Sequence, residues 1–230
     1  MLLTRCDDCK RNPTAVSHRR SGFHLFFGAA RGQLRRATHC FAFWRMPMLT
    51  FARGGDHGTD LVVVPRAGGV PRPIVGGGAD NSGPTFDLSG NRFAFSSARG
   101  RTPQIYSVNT DGTGERLETL IPPKGRSYRT SPDWSPDGRA IAFEQQNGNF
   151  QVWMVTLADH VMHRLTSVGE NEDPSWAPDA RHLVFSSTQH GIKTLWILDV
   201  PRRRFRQLAT VDDARLAAWS PDGTWRFARP

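Results

Sequence analysis

The chain has 230 residues, 38% of them hydrophobic, which is enough for a packed core, and no run of about 18 apolar residues of the kind that crosses a bilayer as a helix. Its net charge of +9 is unevenly placed: residues 1–50 hold nine Arg or Lys against Asp7 and Asp8, so residues 51–230 carry only +2. The body is therefore not a basic nucleic-acid surface, and with Cys6, Cys9 and Cys40 all in the basic segment it must be held by packing rather than by disulfides.

Taken in chain order, residues 1–50 form a basic, Cys-containing segment that is expected to be irregular. The short, His-interrupted apolar stretch at 23–30 is too weak for a cleavable export signal, and Arg5 makes the approach to Cys6 a poor lipid-attachment site. Cys6 and Cys9, with His39 and Cys40, offer four zinc-type ligands, but adjacent His and Cys cannot easily reach one tetrahedral ion, so no metal is expected. Basic residues are interleaved with Phe23, Phe26, Phe27 and Trp44, yet no nucleic-acid reader motif accompanies them, and no nucleic-acid partner is expected.

The rest of the chain repeats. An aromatic followed by a turn recurs as Phe86-Asp87-Leu88-Ser89-Gly90, Trp134-Ser135-Pro136-Asp137-Gly138, Trp176-Ala177-Pro178-Asp179-Ala180 and Trp219-Ser220-Pro221-Asp222-Gly223, at spacings of 48, 42 and 43 residues. Nine residues after the first three aromatics stand Phe95, Phe143 and Phe185, and ten or eleven further on stand Tyr106, Trp153 and Trp196. Short, alternating, β-branched and aromatic segments separated by Gly, Pro, Asp and Asn read as strands. In the best-formed copy, strands are expected at 132–134, 139–144, 151–157 and 163–166, with turns at 135–138 and 145–149.

Four strands in about 42 residues is the arithmetic of a propeller blade, whose two faces are covered by its neighbours. The reading is all-β: a β-propeller of four-stranded blades near 41–80, 84–121, 131–167 and 174–210, with a closing strand near 216–219. About four blades are visible, which would make an incomplete six-bladed ring, preceded by an irregular N-terminal segment. The first blade is the least regular, with Phe51 ending a second strand, 61–65 a third and 74–75 an outer one.

On this reading the aromatic columns are core. Asp137, Asp179 and Asp222 are turn residues whose carboxylates bond nearby amides rather than catalysts. Ala180 replaces the glycine of its turn, at a cost of about 1 kcal/mol if the left-handed conformation is kept. The chain contains no Gly-x-Ser-x-Gly, no Walker-type loop and no His-Glu-x-x-His pair. Gly76-Gly77-Gly78 lacks the Lys and hydroxyl residue that a phosphate cradle needs, so no cofactor and no catalytic residue are expected.

The phrase Pro132-Asp133-Trp134-Ser135-Pro136-Asp137-Gly138-Arg139-Ala140-Ile141-Ala142-Phe143 and its copies resemble the repeats of the TolB family, as does the ending Ala217-Ala218-Trp219-Ser220-Pro221. The resemblance implies a six-bladed propeller joined to an N-terminal α/β domain, a periplasmic location in the Tol-Pal envelope system, and a peptidoglycan-associated lipoprotein as partner. It further implies binding through the loops that join one blade's outer strand to the next blade's inner strand, here 80–82, 126–129, 170–173 and 212–215. Arg126, Tyr128, Arg129, Glu172, Asp173, Asp212, Asp213 and Arg215 are then the candidate contacts, offering ion pairs and hydrogen bonds to a protein.

Two other readings stay open. The chain could be the propeller portion of a serine peptidase resembling the prolyl oligopeptidase family, without its hydrolase domain. A sugar- or small-ligand-binding propeller would need aromatic side chains at the mouth, and the loops supply Tyr128 alone.

Overall fold

The computed structural model describes residues 48–55, 57–120, 127–209, 213–214 and 217–220. The expectations for the basic segment, including Cys6, Cys9, His39 and Cys40, lie outside the described residues.

Four antiparallel sheets follow one another along the chain, each a meander in which sequence neighbours pair. The first has three strands, β1 (Met48–Gly55), β2 (Gly58–Pro65) and β3 (Arg72–Val75). The second holds β4 (Asn81–Phe86), β5 (Arg92–Ser97), β6 (Gln104–Asn109) and β7 (Arg116–Leu117). The third holds β8 (Tyr128–Trp134), β9 (Ala140–Asn147), β10 (Asn149–Thr156) and β11 (Met162–Arg164). The fourth holds β12 (Glu170–Trp176), β13 (His182–Gln189), β14 (Ile192–Asp199) and β15 (Arg204–Ala209).

The sheets stack through three apolar clusters, and the period-two alternation of the second strands explains how. Phe93 and Phe95 point toward the first sheet, where they meet Leu61, Val63 and Val75. Ala94, between them, points the other way and packs with Ile105 against Trp134, Ile141 and Phe143 of the third sheet. Ala140 and Ala142 in turn meet Trp176, Leu183 and Phe185 of the fourth. At the second and third interfaces the small Ala94, Ala140 and Ala142 face large side chains on the next sheet, so the faces interdigitate. Phe93, Phe95 and Phe143 are fully buried, and burial stabilises by about 1.5–3 kcal/mol for each such ring. Sheets stacked face to face in this order are the blades of a β-propeller.

The turn after each aromatic is one repeated structure. Gly90, Gly138 and Ala180 donate to the carbonyls of Asp87, Ser135 and Ala177 at 3.1, 2.9 and 3.0 Å. At the third residue after the aromatic a side-chain oxygen caps the turn: Ser89 Oγ and the carboxylates of Asp137 and Asp179 accept from the amides of Asn91, Arg139 and Arg181 at 3.2, 3.1 and 2.9 Å. In the first copy Asp87, two positions earlier, also accepts from the Arg92 amide at 3.2 Å. The closing residue is left-handed in each of the three described copies, with φ of 70° at Gly90, 73° at Gly138 and 54° at Ala180.

Strand bounds differ from the sequence expectation in several places. Phe51, expected to end a strand, lies inside β1 because its pairing with β2 runs on to Gly55, and the outer strand expected at 163–166 is β11 at Met162–Arg164. The third sheet's first strand starts at Tyr128 rather than at 132, because its polar first half lacks the apolar alternation yet still pairs, Tyr128 to Thr130 lying opposite Gln146 to Glu144. The turn expected at 145–149 shrinks to the neighbourhood of Gly148, whose φ of 86° lets β9 run to Asn147 and β10 restart at Asn149. Residues 217–220, expected within a closing strand, are irregular chain, and 215–216 lie outside the described residues.

Candidate partner-binding end of the propeller

The first strand of each blade starts, and the hairpin between its second and third strands turns, at the same end of the sheet: Tyr128 at the start of β8 lies opposite Gln146, next to Asn147 and Asn149. The connections from outer to inner strands arrive at this end as well. Three columns of side chains on the inner strands build it.

The first column stands five residues before each repeat's aromatic: Asn81, Arg129 and Asn171, with exposures of 1, 4 and 1%. Each hydrogen-bonds back onto the preceding blade. Asn81 Nδ2 donates to the carbonyl of Thr59 at 2.6 Å, and Asn171 Nδ2 donates to Gln151 Oε1 at 3.2 Å. Arg129 reaches further: its guanidinium donates to Gln145 Oε1 at 2.7 Å, to the Leu120 carbonyl at 2.6 Å and to Gln104 Oε1. Burial without a carboxylate partner among the described residues lowers its pKa to about 10.

The second column is a bulge. Register is interrupted between Ser82 and Thr85, Thr130 and Asp133, and Glu172 and Ser175. At each bulge one residue is left-handed, Gly83 at φ 59°, Ser131 at 50° and Asp173 at 53°, and a proline follows it. Bulges of this kind re-aim side chains and occur next to functional sites. Glu144 locks one of them, accepting from Thr130 Oγ1 at 2.6 Å and from the Asp173 amide at 3.2 Å.

The third column is Thr85, Asp133 and Ser175, one residue before each aromatic. Asp133 joins three blades: Oδ1 accepts from Thr85 Oγ1 at 3.1 Å and Oδ2 from the Trp176 amide at 2.6 Å. Desolvation raises its pKa to about 6, outweighing these hydrogen bonds and one with Ser175 that favour the ionised form.

A family model described as the TolB beta propeller domain matches residues 47–223. The chain belongs to this TolB β-propeller family. It is similar, at 35% identity over 85 residues, to the Tol-Pal system protein TolB of Alcanivorax borkumensis; the match covers 35% of this chain and 19% of the relative. The crystal structure of TolB from Acinetobacter baumannii superposes with a TM-score of 0.67 at 18% identity, over 77% of this chain and 45% of that one. A puromycin-hydrolysing peptidase of Mycobacterium tuberculosis superposes with a TM-score of 0.58 at 14% identity, over 70% of this chain and 26% of that one. At these identities the likenesses show the propeller fold. The chain spans about a fifth of the length of the curated relative it matches.

On this TolB-like propeller the candidate contacts fall into distinct environments. Tyr128 is exposed, at 37%. Glu172 is half-buried and ion-paired with Lys193. Asp173 is half-buried with its backbone amide bound to Glu144, and Asp213 is exposed with a φ of 61°. Arg129 is the exception: it was expected at a solvated mouth, but its guanidinium is buried and occupied within the fold, because at its position the chain needs a donor that reaches the preceding blade. Arg126, Asp212 and Arg215 lie outside the described residues.

Sequence reasoning passed over Asp133, although it stands in the repeated phrase, and over Glu144 and Gln145. The alignment of Asn81, Arg129 and Asn171 five residues before the aromatics was the signal that separates Arg129 from the loop contacts. Among the described residues, no group of three or more His, Cys, Asp or Glu side chains is placed to hold a metal ion.

Proposed function

We propose that this chain is a non-catalytic, protein-binding scaffold of the Tol-Pal type, acting in the periplasm. Its binding end is the one at which the inner strands begin, and its partner is a peptidoglycan-associated lipoprotein. The observation that carries this reading is the repeated, hydrogen-bonded bulge of the inner strands, beside which Tyr128, Glu172 and Asp173 stand at one end of the blades. Membership of the TolB propeller family and similarity to a protein named for the Tol-Pal system support it.

Titration of the folded, monodisperse protein with a lipoprotein ectodomain tests the proposal. Saturable binding that weakens at least tenfold in Tyr128→Ala and Glu172→Ala is expected, a loss of about 1.4 kcal/mol or more. An absence of binding heat would sink it.

The second reading, a propeller portion of a prolyl-oligopeptidase-like peptidase, draws on the superposition with the puromycin-hydrolysing enzyme. It requires the same end to contact a hydrolase domain instead, and lipoprotein binding at Tyr128 would speak against it.

A further inference from the structure

A cavity of about 200 Å³ opens where the hairpin between β9 and β10 meets the segment leading from β11 into β12. It is smaller than the roughly 300–1,000 Å³ of drug-sized sites and suits a single small ring. Its wall is one face of the third sheet. Gln145 and Asn147 pair with Gln151 and Asn149, and the alternation puts Trp153 on the same face. Trp153 in turn pairs with Arg164.

Hydrogen bonds within the wall decide what remains to offer a ligand. A guanidinium can only donate, so the 2.7 Å bond from Arg129 Nε fixes the amide of Gln145 with Oε1 turned toward Arg129. Gln145 Nε2 is left as a donor with no partner among the described residues. Gln151 is fully engaged: its Nε2 donates to the Gly169 carbonyl at 2.7 Å, and its Oε1 accepts from Thr166 Oγ1 at 2.9 Å and Asn171 Nδ2 at 3.2 Å. Arg164 donates from Nε to the Thr166 carbonyl at 2.7 Å, which holds the side chain and leaves both terminal nitrogens unused among the described residues.

The cavity therefore presents anchored donors, one of them cationic, and its described lining contains no carboxylate. Asn147 and Asn149 add exposed amides, while Trp153, half-buried and packed against the core cluster of Ile105, Trp134 and Phe143, adds little apolar surface to the lining. The geometry points to a binding site for a carboxylate-bearing monosaccharide, with the carboxylate paired to Arg164 and ring hydroxyls met by Gln145 and the two asparagines. This site does not rest on the protein-binding reading, since its groups belong to the third sheet's hairpin and outer strand.

Calorimetric titration of the full chain with D-glucuronate, D-glucose and acetate tests it. D-Glucuronate is expected to saturate with a Kd of about 1 mM, with glucose and acetate each at least tenfold weaker. Arg164 is exposed, so Arg164→Ala should melt like the parent and lose at least tenfold in glucuronate affinity. Gln145→Glu keeps an acceptor for Arg129 while replacing the free donor with negative charge, and should lose as much. Failure of glucuronate to saturate by about 50 mM, equal binding of glucose, or unchanged binding in folded Arg164→Ala would overturn the proposal. Acetate binding as tightly as glucuronate would overturn the sugar assignment in favour of a simple carboxylate such as a peptide's.

Discussion

The carboxylate of Asp133 accepts a 2.6 Å hydrogen bond from the backbone amide of Trp176, a residue of the next blade. With Thr85 bonded to its other oxygen at 3.1 Å, one side chain ties three consecutive inner strands together. Desolvation nonetheless raises its pKa from 3.8 to about 6, so the folded protein holds this proton over a range in which the unfolded chain has released it. Stability must then fall as pH rises from about 4 to about 6, by up to about 3 kcal/mol for a shift of this size. Asp111, Asp159, Asp179 and Asp199 are lowered, chiefly by side-chain hydrogen bonds except at Asp179, where bonds to His182 and Arg181 outweigh desolvation, and they act in the opposite sense. Comparison with Asp133→Asn isolates the effect: melting curves at pH 4.5 and 7 should show the variant gaining stability relative to the parent as pH rises. Parallel pH profiles would contradict the assignment.

Ala180 holds a φ of 54° in a turn whose two counterparts are Gly90 and Gly138. Ala180→Gly should therefore stabilise the protein by about 1 kcal/mol, seen as a higher urea midpoint at unchanged slope. The reciprocal Gly138→Ala should destabilise by a similar amount. A Cβ at 138 would meet nothing within 4 Å, so that cost is conformational alone.

These turns were legible in the sequence because their chemistry is local: proline, aspartate and glycine act within four residues. The aromatic columns were legible for a related reason, since a blade buried on both faces demands large side chains at a fixed period. The bulges were harder to see. Ser131 and Asp173 carry no mark of left-handed backbone, and only the column shared with Gly83, each residue followed by proline, betrays them. Arg129 is expected among the partner contacts because a charged residue beside a connection resembles a loop residue, and its burial depends on Gln104 and Gln145, distant in sequence. Trp153, expected in the core from its column, packs against the cluster of Ile105, Trp134 and Phe143 and is half-buried because it also borders a polar cavity.

The bulge column makes its own prediction at Gly83. Its φ is 59°, and a Cβ there would stand 3.2 Å from Cδ of Pro132 on the neighbouring inner strand. Gly83→Ala should thus cost more than Gly138→Ala, about 1–3 kcal/mol, because the proline ring and the strand that carries it have to give way. Equal urea midpoints for the two variants would show that the inner strands yield freely at this point.

Arg129 and Tyr128 are adjacent, yet they should answer different assays. Removing the Arg129 side chain, itself only 4% exposed, leaves the buried Gln104 and Gln145 and the Leu120 carbonyl without the donor that now joins them. Arg129→Ala should lower stability by about 2–3 kcal/mol. Tyr128 is 37% exposed, and its truncation should leave the melting temperature within about 2 °C of the parent while weakening partner binding. Melting and lipoprotein titration on both single variants check the pair. An Arg129→Ala protein as stable as the parent would mean that the buried guanidinium contributes nothing to the join between blades, and would return Arg129 to the binding surface.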